Sequence, residues 1–407
     1  MSLRNRWAIA TLTSAGVFVT YMLRFNISPI GQLISTDLHL SDFELGLVLS
    51  GSLWIYTLMQ PVAGLITDRY GAKLSLLFGG MATSVLTVAS GFAGSFYALL
   101  GMRVIIGATQ APNFVTGASV TSSEWFNKSQ KARATSIWIS GGRFGQVLTL
   151  PFAAWLGVVY GWQWAFFVTG LFGIAWCTAW YIGFQNNPPE SSRRKEGPAR
   201  KSLSIRQSLL AVLTPLGFGF ALASFGQGYV AYYLNLWLPT YLVRQQKFTI
   251  LNAGIFSTLP FIALVVTLLL IGGVASDYVV KRGASPVGFR RNLFSVGMVL
   301  TAIMLFASAY APDPYTAVAA ISVAGACLGF STPSLWVAMV ESTPREVTGA
   351  MGGIQNLGGN LAGIVVSILT GYLLQVTKSF FLALLAGAGV ALLGAVAAFV
   401  LIRPRKK

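Results

Sequence analysis

The sequence predicts an all-α membrane protein, with twelve transmembrane helices in two pseudo-symmetric six-helix bundles. Three observations predict it. Apolar runs of about 20 residues, each long enough to cross roughly 30 Å of hydrocarbon, recur along the chain. Hydrophobic residues fill 55% of the 407 positions and charged ones only 10%. A polar segment beginning at Gly64 is echoed at Gly273, 209 residues later, as expected of a chain built from two related halves.

In order, the runs predict helices over 7–30, 43–66, 74–95, 98–123, 134–158 and 163–184, then 209–243, 252–276, 291–310, 315–341, 346–374 and 379–402. Residues 1–184 form the first bundle and 208–407 the second. Between them, 185–207 is polar and carries Pro188, Pro189, Pro198 and the basic group Arg193, Arg194, Lys195, Arg200 and Lys201, which reads as a cytoplasmic linker. Arg4 and Arg6 precede the first run, which continues without a small-residue cleavage site and is therefore expected to be an uncleaved first helix.

The net charge of +17 would suggest nucleic acid in a soluble protein, but the placement of the charges gives another reason. Of the 28 Lys and Arg, all but six fall at one face of the predicted spans. Arg244, Lys247 and Lys378 lie at the other face, and Arg24, Arg103 and Arg143 inside helices. That bias places both termini in the cytoplasm of a multi-pass protein of the cell (inner) membrane. No nucleic acid partner is implied. Cys177 and Cys327 fall within apolar helices and His39 is the only histidine, so no disulfide framework, metal site or cofactor is expected. The spans hold no His, Cys or carboxylate constellation and the chain has no G-x-S-x-G, which argues against an enzyme.

Gly64-Leu-Ile-Thr-Asp68-Arg69-Tyr-Gly71-Ala-Lys73, between helices 2 and 3, resembles the signature loop of the major facilitator superfamily. Arg103-Val-Ile-Ile-Gly107 and Gly161-Trp-Gln-Trp-Ala-Phe166 resemble further motifs of that superfamily, and the resemblance covers essentially the whole chain. Within it, Tyr21 to Asn26, Leu53 to Tyr56 with Gln60-Pro61, Gln110 to Phe114 and Asn356 to Asn360 are most similar to the anion:cation symporter family, whose members carry sugar acids and other organic anions. The Tyr-x-x-Arg-x-Asn pattern of helix 1 is shared, more weakly, with organophosphate:phosphate antiporters, so an organophosphate or inorganic-anion exchanger is the alternative reading. The resemblance implies secondary active transport by rocking two halves about a midplane site.

Arg24 is the residue that most needs a reason. A mid-membrane arginine costs about 2.5–3.5 kcal/mol on translocon-type scales and usually faces a wet cavity or a partner. Its planar fork of donors matches carboxylate, phosphate or sulfonate oxygens bidentately, so it is expected to anchor an anion. Arg143, about 13 Å in from Ala134 at 1.5 Å per residue, is expected as a second cationic contact favouring a dianion. It stands where related symporters tend to have a substrate-contacting glutamine. By resemblance Tyr21, Tyr56, Tyr233, Trp237 and Trp336 line the cavity, Gln110 stands at a substrate position, and Asn356 hydrogen-bonds substrate. Asn360 is expected to bond between helices.

Many proton-coupled relatives have an aspartate before the helix 1 arginine and a glutamate in the helix 4 motif, where this chain has Leu23 and Gln110. None of the 11 acidic residues is predicted at mid-membrane depth, so proton coupling has no obvious carrier. Entry of each uncompensated negative charge against 100 mV is opposed by about 2.3 kcal/mol. A co-transported H+ or Na+, an exchanged counter-anion and export all stay open. The partners expected are therefore a small organic anion, its coupling ion and the lipid bilayer, for a monomer.

By resemblance, Gly64, Asp68, Arg69, Gly71, Lys73 and Glu124 in one half, with Asp277, Lys281, Arg282 and Glu341 in the other, form the cytoplasmic gate, with Asp68 near the N-terminal end of helix 11. Such contacts are individually worth about 0.3–1 kcal/mol near water, weak enough to break in each cycle. Arg103, part of a motif shared by carriers of neutral substrates, is expected to couple conformations rather than touch the ligand.

Overall fold

The computed structural model describes residues 6–122, 126, 128–184, 212–282, 285–344 and 346–403. The predicted linker and Glu124 lie outside these, as do the side chains of Asp277 and Lys281. Among the described residues every regular element is helical. The first unit comprises residues up to Ala199 with Ile250–Ile255, and the second Arg200–Thr249 with Phe256 onward.

In the first unit, α1 (Arg6–Phe25) and α2 (Ile27–Asp37) are one span interrupted at Asn26. Pro29 supplies the reason: it has no N–H for the Phe25 carbonyl, and its ring crowds that carbonyl. The span therefore runs seven residues past the predicted end at Ile30, because α2 keeps one buried face (Ile27, Ile30, Ile34) although Gln32 and Thr36 lower its average apolarity.

Next comes α3 (Asp42–Ser90), opened by a capping box in which the Ser41 hydroxyl accepts from the Glu44 amide and the Glu44 carboxylate accepts from the Ser41 amide. It holds predicted helices 2 and 3, which meet at a kink at Gly71, whose non-helical φ of 76° and ψ of 167° suit glycine. That bend is the physical content of the glycine in the D-R-x-G motif. Then follow α4 (Phe96–Ser122), α5 (Lys128–Val159) and α6 (Trp162–Gly183). The core joins Ile9, Met22 and Leu23 of α1 to Leu76, Trp176, Cys177 and Trp180. Trp180 stacks on Phe184 at 4.1 Å between ring centroids.

The second unit repeats the interrupted first span. α7 (Pro215–Leu236) and α8 (Leu238–Arg244) part at Trp237, two residues before Pro239, as α1 and α2 part three before Pro29. Predicted helix 8 is made of α9 (Ile250–Phe256), α10 (Leu259–Thr267), a π-helical stretch over Leu268–Ala275 and α11 (Ser276–Lys281). α12 (Pro286–Ala309) starts five residues before its predicted limit, with Ser285 as cap and Pro286 in the first turn. α13 (Pro314–Ser342), α14 (Thr348–Thr377) and α15 (Phe381–Leu401) complete the chain. Among the described residues, joining the interrupted helices and dividing α3 at Gly71 gives twelve passes. Eight helical runs among them are long and apolar enough to cross a membrane by length and composition.

Candidate functional site

Four predicted residues of the first unit meet at one place. Arg24, in the last turn of α1, is buried. Its Nε donates to Gln110 Oε1 on α4 at 3.0 Å, and its guanidinium carbon stands 4.1 Å from the centre of the Tyr56 ring on α3. A charged donor to a neutral amide contributes about 1.5–3 kcal/mol, and a desolvated cation–π contact up to about 2. Arg24 is thus held by neutral side chains from two other helices.

Arg103 lies beneath this arrangement with no exposed surface. Its Nη2 donates to the Arg24 main-chain carbonyl at 3.0 Å and approaches Ser52 Oγ at 3.5 Å, while Nε and Nη1 have no hydrogen-bond partner among the described residues. The Arg24 carbonyl lies beside the break at Asn26, where the regular ladder of α1 ends, and the guanidinium caps it.

The glycine four residues on explains how Arg103 gets there. A Cβ on Gly107 would stand 2.0 Å from the Ser52 carbonyl oxygen, so only glycine lets α4 lie this close to α3. Together these contacts account for the spacing in R-x-x-x-G.

Two further polar atoms are turned inward without partners. Gln110, fully buried, has no acceptor for its Nε2 among the described residues. Asn26 donates from Nδ2 to Thr169 Oγ1 at 2.8 Å, and its Oδ1 has no partner among the described residues. Buried donors without acceptors are unusual in folded proteins. Here Arg103 Nε and Nη1 and Gln110 Nε2 are all donors, as an anion site requires.

The other predicted residues lie in other settings. Tyr21, half-buried, packs by its ring edge on Gly142 of α5. Arg143 is half-buried, and its hydrogen bond among the described residues is a long one, 3.4 Å, to Gln146.

In the second unit Tyr233 and Trp237 are fully buried. Trp237 packs on the Phe380 ring at 6.0 Å, and neither the Tyr233 hydroxyl nor the Trp237 Nε1 has a hydrogen-bond partner among the described residues. Asn356 is half-buried, Trp336 is exposed beside Gly352, and Asn360 accepts from the Tyr232 hydroxyl at 3.0 Å as an interhelical bond. Leu23 faces away from the arginine cluster into the core with Trp176 and Cys177.

Of the gate residues, Asp68 and Arg69 are exposed, and Asp68 has no ion pair or hydrogen bond among the described residues. Arg69 lies 5.5 Å from the Tyr70 ring, Lys73 reaches the Tyr181 ring at 4.7 Å, and Arg282 covers Tyr278 at 4.4 Å. Gly64 has open space where a Cβ would be. Glu341 pairs with Arg290 of α12, a residue the sequence reading did not single out. The only prior signal was its place one turn into a Ser-Pro-initiated helix.

Comparison with known proteins gives this geometry its context. The Major Facilitator Superfamily model matches residues 13–289 and 284–407. The D-galactonate transporter of Escherichia coli O6:H1 (strain CFT073) is 30% identical, over 99% of this chain and 97% of that one. The hexuronate transporter of Bacillus subtilis (strain 168) is 27% identical, over 97% and 94%. A probable galactarate/D-glucarate transporter of Escherichia coli (strain K12) is 28% identical, over 93% and 90%. Among solved structures, a D-xylose-proton symporter superposes with a TM-score of 0.77 at 14% identity, over 97% of each chain, which speaks to the fold. The chain belongs to the major facilitator superfamily and is a transporter, not an enzyme.

Proposed function

We propose that the chain is a secondary transporter of sugar acids and related small organic anions, working by alternating access, with Arg24 as the substrate anchor. The observation that carries this reading is the Arg24–Gln110–Tyr56 arrangement: a buried guanidinium in contact with neutral groups, beside donors of Arg103 and Gln110 that have no acceptor among the described residues. Carboxylate oxygens are the complement of such donors. The sugar-acid names of the relatives point to the same chemistry. Tyr21, Arg143, Tyr233, Trp237, Trp336 and Asn356 stay in the reading as further contacts, and the D-R-x-G segment and Glu341 as parts of the gate.

The test is binding of D-galactonate by the purified protein, read as thermal stabilisation. A ligand at 100 times its Kd adds about 2.7 kcal/mol to the folded state. The wild-type shift is expected to disappear in Arg24→Ala, whose unliganded melting temperature falls only by what the lost Gln110 and Tyr56 contacts contribute, because Arg103 still holds the main chain at position 24. Undiminished galactonate binding by Arg24→Ala would remove the anchor.

A further inference from the structure

We propose that the second unit holds an anionic phospholipid of the phosphatidylglycerol type in the groove between α12 and α15, its phosphate on Arg291 and Arg403 and an acyl chain along the groove. The inference is independent of the transported substrate.

α12 and α15 pack side by side and antiparallel. At one end, the Arg291 guanidinium carbon stands 4.7 Å from the centre of the Phe399 ring, and its Nη1 lies 3.5 Å from the main-chain oxygens of Phe399 and Ile402. One turn further along α12, Ser295 Oγ donates to the Ala395 carbonyl at 3.1 Å. Deeper still, a Cβ on Gly387 would stand 3.4 Å from Leu305.

Along the outside of this seam runs an apolar groove of about 370 Å³, walled by Val296, Val299 and Leu300 on one side and Val396, Phe399 and Val400 on the other. All six are exposed. Ser295 lies at its floor with the hydroxyl already bonded, so it asks for no polar occupant. At 1.5 Å per residue the groove follows each helix for about 7–8 Å, room for a straight stretch of acyl chain.

Exposed valines are what any lipid-facing helix presents; the charge at the end of the groove sets this one apart. The neighbours Arg290 and Arg291 turn opposite ways. Arg290 goes inward to Glu341 of α13. Arg291, four residues before Ser295 and so on its face of the helix, goes to the groove. Its acceptors are neutral: Asn292 Oδ1, at 3.0 Å from Nε and 2.8 Å from Nη2, and the two carbonyls at 3.5 Å. Arg403 is exposed just past the end of α15, its Nε on the carbonyl of the groove residue Val400 at 3.2 Å. Both guanidinium groups are therefore at the same end of the groove, and neither has a carboxylate partner among the described residues.

Two guanidinium groups without a counter-charge, where an acyl-length groove opens at the membrane face, complement a lipid whose headgroup is a net anion. A phosphate accepts charge-assisted bonds from both forks and is a stronger acceptor than the Asn292 amide oxygen or a distant carbonyl. A zwitterionic lipid brings its own cation to the same place. A second copy of the chain docked two-fold through this face would set the arginines of one copy against those of the other.

The test places the purified full-length chain in phosphatidylcholine vesicles with a trace of phosphatidylglycerol or phosphatidylcholine carrying a photoactivatable diazirine in the acyl chain. Labelled peptides are mapped by mass spectrometry. Label on the groove segments of α12 and α15, relative to the exposed side of α6, is expected to be roughly 25-fold higher with the phosphatidylglycerol probe, about fivefold for each arginine near the surface. Arg403→Gln should lower that preference about fivefold, and Arg291→Gln with Arg403→Gln should remove it while the label on α6 stays the same. Val299→Trp fills the groove and keeps both arginines, and should bring phosphatidylglycerol labelling there down to the level of phosphatidylcholine. Excess inorganic phosphate should not displace the label, because it has no chain to bury.

Equal labelling of the groove by the two probes in the wild-type protein overturns the proposal. So does a preference that survives the double substitution or Val299→Trp, a label displaced by inorganic phosphate, or chain-to-chain crosslinks at the groove in place of lipid adducts. If the double variant does not fold, as judged by loss of a cooperative melting transition, the Arg403→Gln and Val299→Trp proteins decide.

Discussion

Gly107→Ala tests whether the arginine cluster is set by how closely α4 lies against α3. The added methyl would stand 2.0 Å from the Ser52 carbonyl oxygen, 2.9 Å from its carbonyl carbon and 3.1 Å from the Tyr56 amide nitrogen. All three are main-chain atoms and cannot rotate aside. Reaching ordinary van der Waals distance takes roughly 1.5 Å of separation, and forced overpacking of this type costs about 1–3 kcal/mol. The same displacement carries Arg103 away from Ser52, whose contact is already 3.5 Å, and separates Tyr56 from Gln110, which hold Arg24 from α3 and α4. Thermal unfolding in detergent is expected to show the loss of stability, and galactonate uptake is expected to fall at least about tenfold, since misplacement by about 1 Å is enough to spoil a preorganised site. Gly64→Ala is the control: a methyl there meets nothing within 4 Å, so stability should hold or rise by less than about 1 kcal/mol from helix propensity. A Gly107→Ala protein with wild-type melting temperature and full uptake would refute the account of R-x-x-x-G.

Gly71→Ala forces a side chain into φ 76°, ψ 167° and should cost about 1–3 kcal/mol in thermal unfolding, with Gly64→Ala again as the neutral comparison. Glu341→Gln removes the charge partner of Arg290, whose side chain is 8% exposed against 30% for Glu341. With the screening that exposure allows, the loss should be about 1–2 kcal/mol, and combining it with Arg290→Gln should cost less than the sum of the two; additivity would show that the pair does not act as one. The Asp313 carboxylate accepts from the Thr316 hydroxyl and from the Thr316 and Tyr315 amides, which lowers its pKa. Its stabilisation of the α13 start is therefore complete above the ordinary carboxylate range and lost as pH falls through the lowered value. Acid titration of melting temperature should show a step that Asp313→Asn abolishes.

The spans were legible because bilayer thickness sets a minimum apolar length, and Arg24 because charge at that depth needs a partner. The breaks were not. Pro29 and Pro239 lie inside apolar runs, and hydropathy does not register a missing N–H. The join between predicted helices 2 and 3 was legible: the polar run Asp68 to Lys73 marks it, and Gly71, with non-helical φ and ψ, kinks the chain there.

Side-chain direction was the second blind spot. Leu23 and Gln110 look equivalent as missing acids, but Leu23 packs against Trp176 and Cys177 while Gln110 touches Arg24. An aspartate at position 23 would therefore enter an apolar core, and position 110 is where a carboxylate would meet the arginine. Arg290 went unnoticed because the basic residues of that face look alike until one of them is found buried against Glu341.

The bond from Arg103 to the carbonyl of residue 24 has a consequence for how such a transporter changes over evolutionary time. A main-chain carbonyl is the same whatever side chain its residue carries, so the buried guanidinium secures the end of α1 without inspecting the side chain at position 24. Mutations at position 24 can therefore be sampled without first rebuilding the scaffold beneath. A lineage can change the side chain at position 24 while Arg103 and Gly107, which shape the ledge, stay fixed.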